Sequence, residues 1–221
     1  MNYELCQQAS DNILESIWKE LTSEYREGIH VSDLIGCLRK PWARIALGVN
    51  PAPSTATTLL WEIGRKLEPL LLTAEPGQKI MTGEDCFWTK DGIIGRTDGL
   101  IYYPRTIVIE CKATFKSAKK GLNDSPHYAM QAACYCHMLG TTEAQIRVLH
   151  LSGLGGYGPP QIKVYECSWE REELARIWAE LVMRKKTLLD AVDNKKPPTT
   201  LHHWGFECPS CAIKKEIGCH I

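Results

Sequence analysis

The segment GRTDGLIYYPRTIVIECK, residues 95–112, carries an aspartate, a glutamate and a lysine at spacings that let them meet. Two-residue alternation along a strand puts Glu110 and Lys112 on one face and Cys111 on the other. Asp98 falls in the preceding strand, and Pro104-Arg105 is the reversal between the two. Two carboxylates and an ammonium then converge on one patch of strands otherwise rich in Ile and Val. Burying three charged groups there is costly unless something binds to them. A hard divalent cation held by oxygen ligands is the least costly occupant, and the chemistry it serves is phosphodiester hydrolysis. The alternative, for so short a motif, is a turn aspartate and an exposed ion pair at a sheet edge.

Two helices supply further polar groups. Gln131 and Tyr135, four residues apart, share a face of the helix that follows the Glu-x-Lys strand, and His127 extends that line by a turn. Gly64 and Glu68 stand one turn apart on an earlier helix, where the glycine permits close approach of another chain. A helical Gln or Tyr taken alone reads as a surface or core-rim residue. The ordered run Gly-x3-Glu, Gly-x2-Asp, Glu-x-Lys, Gln-x3-Tyr is much harder to obtain by accident.

The elements that must position these residues follow from periodicity. An amphipathic helix is expected over 10–26, with Ile13, Leu14, Ile17, Trp18 and Leu21 as its apolar stripe. Ser32 caps a second helix carrying Leu34, Cys37, Leu38, Trp42 and Ile45, and a third runs from Thr57 or Thr58 to about Ala74. A meander follows: strands near 85–90, 93–102 and 106–114, with turns at Asp91-Gly92 and Pro104-Arg105. Ser125-Pro126 opens a helix that ends at Gly140, strands lie at 144–151 and 161–167, and Ser168 opens a long helix to about Asn194. NKKPPTT is a linker to a cysteine-bearing tail. The class is α+β, a mixed central sheet flanked by helices. The chain reads as one domain, with an N-terminal helical region (1–56), a core (57–193) and a linker with its tail (194–221).

Composition narrows the function. Lysine plus arginine equals aspartate plus glutamate at 26 each, so any nucleic-acid-binding surface must be local. Lys116, Lys119 and Lys120, just past the Glu-x-Lys strand, would hold phosphates, or else form a solvated charged turn; Arg39, Lys40 and Arg44 make a second basic patch. Interleaved Trp and Tyr are suited to stack unpaired bases. No apolar run is long enough to span a membrane, and MNYELCQQASDN is neither a signal nor a transit peptide, so a cytoplasmic setting is expected. In a reducing compartment the ten cysteines are not a disulfide framework. Cys6, Cys86, Cys111, Cys134, Cys136 and Cys167 fall inside expected strands or helices and read as small buried hydrophobes. Cys208-Pro-Ser-Cys211 is a CxxC with Cys219 beyond it; three tail thiolates need a fourth ligand, and Cys37 supplies it if the N-terminal helices meet the tail.

The order of motifs resembles the RecB-like branch of the PD-(D/E)-x-K nuclease superfamily, from HVSDLIGCLRK at 30–40 to the last cysteines. That resemblance implies a restriction-endonuclease-like fold and a metal-dependent DNA nuclease. Asp98 and Glu110 would bind Mg²⁺ or Mn²⁺, assisted by the Cys111 carbonyl and by Glu68, where many relatives carry histidine. Lys112 would orient or activate the attacking water and stabilise the developing charge, while Gln131 and Tyr135 position the lysine, the water or the scissile phosphate. One cysteine before the core and three after it is the pattern of the iron–sulfur members. It implies that Cys37, Cys208, Cys211 and Cys219 hold a cluster, 4Fe–4S in preference to 2Fe–2S, which clips the two chain ends together. The spacer AIKKEIG between Cys211 and Cys219 is longer than usual in that family. Zinc on the same four cysteines, or with His202, His203 or His220 replacing one, is the rival.

Among the iron–sulfur members, VSDLIGCLRK is similar to the S-x-L-x-x-C-x-R segment of the CRISPR-associated Cas-four family, with Leu38 where proline is common. This resemblance implies exonuclease activity on single-stranded DNA or on DNA with single-stranded ends. It further implies a part in antiviral defence, the trimming of DNA before its integration into a CRISPR array, with the integrase proteins as partners. The alternatives are a solitary or viral recombination-repair exonuclease of the same superfamily, and a catalytically silent subunit that binds DNA or protein.

Overall fold

The computed structural model describes residues 27–49, 55–153 and 158–199, together with residues 8, 204, 207, 211 and 219. The helix expected over 10–26 and Cys6 lie outside the described residues. The helix expected from Ser32 is two helices, α1 (Val31–Ile35) and α2 (Arg39–Leu47). It starts two residues earlier than expected, after His30 in place of Ser32, and the His30 backbone N–H donates to Asp33 Oδ2 at 3.0 Å. The break has a partner far along the chain: the Cys37 N–H donates to Glu207 Oε1 at 3.3 Å instead of continuing the helical ladder. A Cβ on Gly36 would stand 2.8 Å from the same oxygen, so glycine is what lets the carboxylate in.

Helix α3 (Thr55–Leu71) leads into β1 (Lys79–Thr82), a short strand with no alternation to announce it. The hairpin β2 (Phe87–Lys90) and β3 (Ile93–Arg96) turns at Asp91-Gly92, both at positive φ, as a two-residue hairpin loop requires. β4 (Gly99–Tyr103) and β5 (Ile107–Thr114) follow, then α4 (Pro126–Leu139), β6 (Glu143–His150), β7 (Gln161–Ser168) and α5 (Arg171–Asp193). The single strand expected over 93–102 is therefore divided. Thr97 donates its N–H to Cys86 O at 3.1 Å, and the chain passes from the β2–β3 hairpin into the main sheet. Asp98 sits in that break, not within a strand, which corrects the expectation.

The main sheet runs β1-β4-β5-β6-β7, with β5 and β6 parallel and the other neighbours antiparallel. A parallel pair needs a crossover, and α4 provides it, with Ser125 at the N-cap position but no capping bond from its side chain, Pro126 in the first turn and Gly140 in the left-handed region. One apolar cluster joins α1, α2, α4 and α5 to the sheet through Leu34, Trp42, Cys134, Ile146 and Leu188. A smaller one gathers Leu71 with Ile101, Ile107, Ile109, Cys111 and Leu149. Cys86, Cys111, Cys134 and Cys136 are buried and Cys167 is half-buried. β7 ends the sheet and alternates along its length, with Ile162 58% and Val164 52% exposed. Among the described residues no helix is long and apolar enough to cross a membrane.

Candidate active site

Strand β5 alternates as its sequence requires. Glu110 and Lys112 turn toward α4, and Cys111 joins the opposite cluster with Leu71 and Ile109. Glu110 is 1% exposed and forms an ion pair through Oε1 with Lys112 Nζ. Lys112 Nζ also donates to Gln131 Oε1 at 3.4 Å, and Gln131 Nε2 donates to Tyr135 Oη at 2.9 Å. The i,i+4 pair on α4 thus lines up behind the lysine. Asp98 reaches the same place from the break between β3 and β4, where its Oδ2 accepts the Cys111 N–H at 2.6 Å.

The electrostatics of the patch are those of crowded, poorly hydrated carboxylates. Burial holds Glu110 up to about 8, with Asp98 and Glu68 adding to the rise and Lys112 opposing it. Burial also raises Asp98, against the pull of Lys112 and the Cys111 N–H. Glu68, half-buried on α3, is raised by burial and then by Asp98, so all three carboxylates share one field. Burial works against the Lys112 ammonium, but Glu110 and Asp98 outweigh it and hold the lysine above its ordinary range. Glu110 Oε2 is buried and has no hydrogen-bond partner among the described residues. A buried carboxylate oxygen with nothing to accept is expensive, and a cation beside Asp98 would satisfy it.

Asp98 and Glu110 fit a Mg²⁺ or Mn²⁺ site of the kind that takes two carboxylates and keeps several waters. Among the described residues no three Asp, Glu, His or Cys side chains form a ready-made metal cage. Glu68 shares the electrostatic field of the pair, raised by burial and by Asp98 and lowered by Lys112. Among the described residues, and apart from the helix's own nearby backbone, nothing comes within 4 Å of where a Gly64 Cβ would stand, one turn before Glu68.

Three neighbours escaped the sequence reading or entered it only in part. Tyr128 lies under Lys112, whose Nζ is 5.4 Å from its ring centroid, and His127 packs on Tyr128 with centroids 4.3 Å apart. Trp204 of the tail stands 5.6 Å from the His127 ring. Burial, Lys116 and Lys112 push His127 down to about 4, which makes it a neutral ring at physiological pH. Tyr128 was legible in principle as the residue one turn before Gln131 and Ala132; Trp204 gave no signal, because its partner is far away in the chain.

The basic residues divide. Lys116 Nζ donates to Ser125 Oγ at 3.0 Å, Lys120 lies 3.7 Å from Asp124 Oδ1, and Lys119 is exposed. Arg39, Lys40 and Arg44 are committed within the chain: Arg39 to Pro198 O and Cys219 Sγ, Lys40 to Glu207, and Arg44 to Asp33 and Gly28 O. Of the cysteine quartet, Cys37 is buried beside α2, and Arg39 Nη1 reaches Cys219 Sγ at 2.9 Å, so the N-terminal helices do meet the tail. Burial raises the Cys37 thiol, and Glu207 and Cys219 add to the rise. Cys211 packs on the larger core cluster. Cys208, His202, His203 and His220 lie outside the described residues.

No protein-family model matches the chain, and no curated protein resembles it in sequence. Solved structures do resemble it in fold. SSO0001 is 18% identical with a TM-score of 0.51, covering 94% of each chain. A phage-related exonuclease from Haemophilus somnus 129PT is 15% identical with a TM-score of 0.55, covering 77% of this chain and 97% of its own. The alkaline exonuclease LHK-Exo from Laribacter hongkongensis is 14% identical with a TM-score of 0.51, covering 72% of this chain and 80% of its own. The chain shares its mixed α+β architecture with exonucleases.

Proposed function

We propose that this protein is a metal-dependent DNA nuclease, an exonuclease acting on single-stranded DNA or single-stranded ends. The observation that carries the reading is Glu110: a fully buried carboxylate with one oxygen on Lys112, the other without a partner among the described residues, and Asp98 in its field. Two of the fold's likenesses are exonucleases, which supports the same chemistry. Asp98 and Glu110 would hold Mg²⁺ or Mn²⁺, with the Cys111 carbonyl and Glu68 assisting. Bound there, the cation supplies a water of lowered pKa and neutralises charge on the phosphate. Lys112, kept cationic by two carboxylates, stabilises charge on the phosphate rather than taking a proton. Gln131 and Tyr135 fix the lysine's direction. Lys116, Lys119 and Lys120, at the end of β5, would guide the backbone of the strand toward it, whereas Arg39 is occupied with the tail.

The quartet Cys37, Cys208, Cys211 and Cys219 would carry an iron–sulfur cluster, 4Fe–4S in preference to 2Fe–2S. The approach of Cys219 to the Cys37 turn supports it. The cellular role that goes with this combination is DNA trimming ahead of CRISPR spacer integration, with integrase proteins as partners.

The test is incubation of the protein with end-labelled single-stranded DNA and Mg²⁺ or Mn²⁺, beside Lys112→Ala and a metal-free control. Metal-dependent degradation lost in the variant is the expected result. No degradation by the wild-type protein, purified anaerobically and brown, would end the nuclease reading. A colourless, zinc-containing protein would replace the cluster with zinc.

A further inference from the structure

Strand β6 carries an arginine where its neighbours are apolar. Arg147 is 6% exposed, and all three guanidinium nitrogens are hydrogen-bonded on the α3 side of the sheet. Nη1 donates to Leu71 O at 2.6 Å and to Thr73 O at 2.8 Å, while Nε and Nη2 both hold Gln145 Oε1, at 3.2 and 2.7 Å. Leu71 ends α3, so these carbonyls belong to the negative end of the helix, where a cation is favoured. Desolvating a guanidinium is costly, and an apolar side chain of the same size would satisfy the packing of Leu71, Ile109 and Leu149. What an apolar side chain cannot do is fix the position of a helix end.

That helix end sits one turn after Glu68. The parallel register pairs Arg147 with Cys111, whose N–H holds Asp98. Leu72, next after the clamped Leu71, presses on Gly99, where a Cβ would stand 2.9 Å from Leu72 Cδ2. One guanidinium thus ties β6, the parallel neighbour of the strand that holds Asp98, to the helix that carries Glu68. We propose that Arg147 is a positioning residue: it clamps the end of α3 to β6 and so holds Glu68 beside Asp98. This rests on the metal-site reading above.

Gln145 is part of the device. Its Oε1 takes two of the guanidinium donors and leaves Nη1 directed at both carbonyls. A lysine at 147 would deliver the charge without the fork.

The test measures Mn²⁺ binding by calorimetry, without DNA, for the wild-type chain, Arg147→Met, Glu68→Gln and the double variant. Leu188→Val, in the core on α5 away from this clamp, controls for lost stability. Loss of an outer-shell partner weakens metal binding about 10-fold or more, and that loss is expected for Arg147→Met. The double variant should bind no more weakly than Glu68→Gln, because Arg147 acts through Glu68. Unchanged Mn²⁺ affinity in Arg147→Met, with a fall in Tm like that of Leu188→Val, would overturn the proposal. Additive losses in the double variant would overturn it too. A wild-type chain that binds no Mn²⁺ defeats the metal-site reading itself, and the positioning role with it.

Discussion

Two buried glutamates in this chain have opposite circumstances. Glu207, in the tail, has both oxygens taken: Oε1 accepts from the Cys37 N–H and Lys40, and Oε2 from the Trp204 N–H at 2.9 Å. Glu110, in the middle of the sheet, has one oxygen on Lys112 and one with no partner among the described residues. A saturated buried carboxylate has exchanged its hydration for fixed partners and is spent on architecture. An unsaturated one raises the free energy of the empty fold and lowers it again when something arrives. The contrast separates the residue that fastens the chain from the residue that waits for a ligand.

The largest effect should fall on the unsaturated side. Lys112→Ala is expected to reduce DNA degradation by about 100- to 1,000-fold, as loss of one well-placed charge-stabilising group does, with the fold retained by circular dichroism. Glu110→Gln sharpens the same point: activity disappears, yet Tm holds, and rises relative to wild type with increasing pH, because the amide cannot take on a buried charge. If Glu110→Gln unfolds the protein, the carboxylate is architectural after all and the contrast fails.

Protons give a second reading. With its pKa raised from 4.5 to about 8, Glu110 binds a proton in the folded state across a range where the unfolded chain has lost it. Stability from this group is present below pH 4.5 and is lost as pH rises toward 8. In chelator-treated protein the Tm advantage of Glu110→Gln over wild type should therefore grow across that window. Mn²⁺ should shrink the gap by stabilising only the wild type.

Glu207→Ala probes the saturated side. It leaves the Cys37 and Trp204 N–H groups without their acceptor and should cost about 1–3 kcal/mol, read by urea unfolding, with kcat little changed. Gly36→Ala is the mildest disturbance. Its new methyl displaces the Glu207 carboxylate at a cost of roughly 1 kcal/mol, and the loss should vanish in a Glu207→Ala background. Additive losses would mean that Gly36 is needed for some other reason.

The residues nearest the proposed chemistry were the most legible because their geometry is local. Glu110 and Lys112 needed only strand alternation, and Gln131 with Tyr135 only a helical turn. Asp98 was found but misplaced: Asp98-Gly99 is itself a turn signal, as Asp91-Gly92 is, but the apolar run that follows it outweighed the break that hands the chain from one sheet to another. β1 has no alternation in KIMT, and the division of α1 from α2 depends on a carboxylate 170 residues away from Cys37. Arg147 reads as an ordinary charged residue in a strand until Leu71, 76 residues earlier, is seen to be its acceptor. Periodicity reports what an element does with its own neighbours, and these residues act across the fold.

The outermost strand has a practical consequence. β7 carries Ile162 and Val164 on an open face at the end of the sheet, next to backbone groups with no further strand to pair with among the described residues. Such an edge invites stacking between molecules at the concentrations used for purification and crystallisation. Ile162→Lys would place a charge on that face, away from Glu110 and Asp98, and should raise the concentration at which the protein stays monodisperse by light scattering.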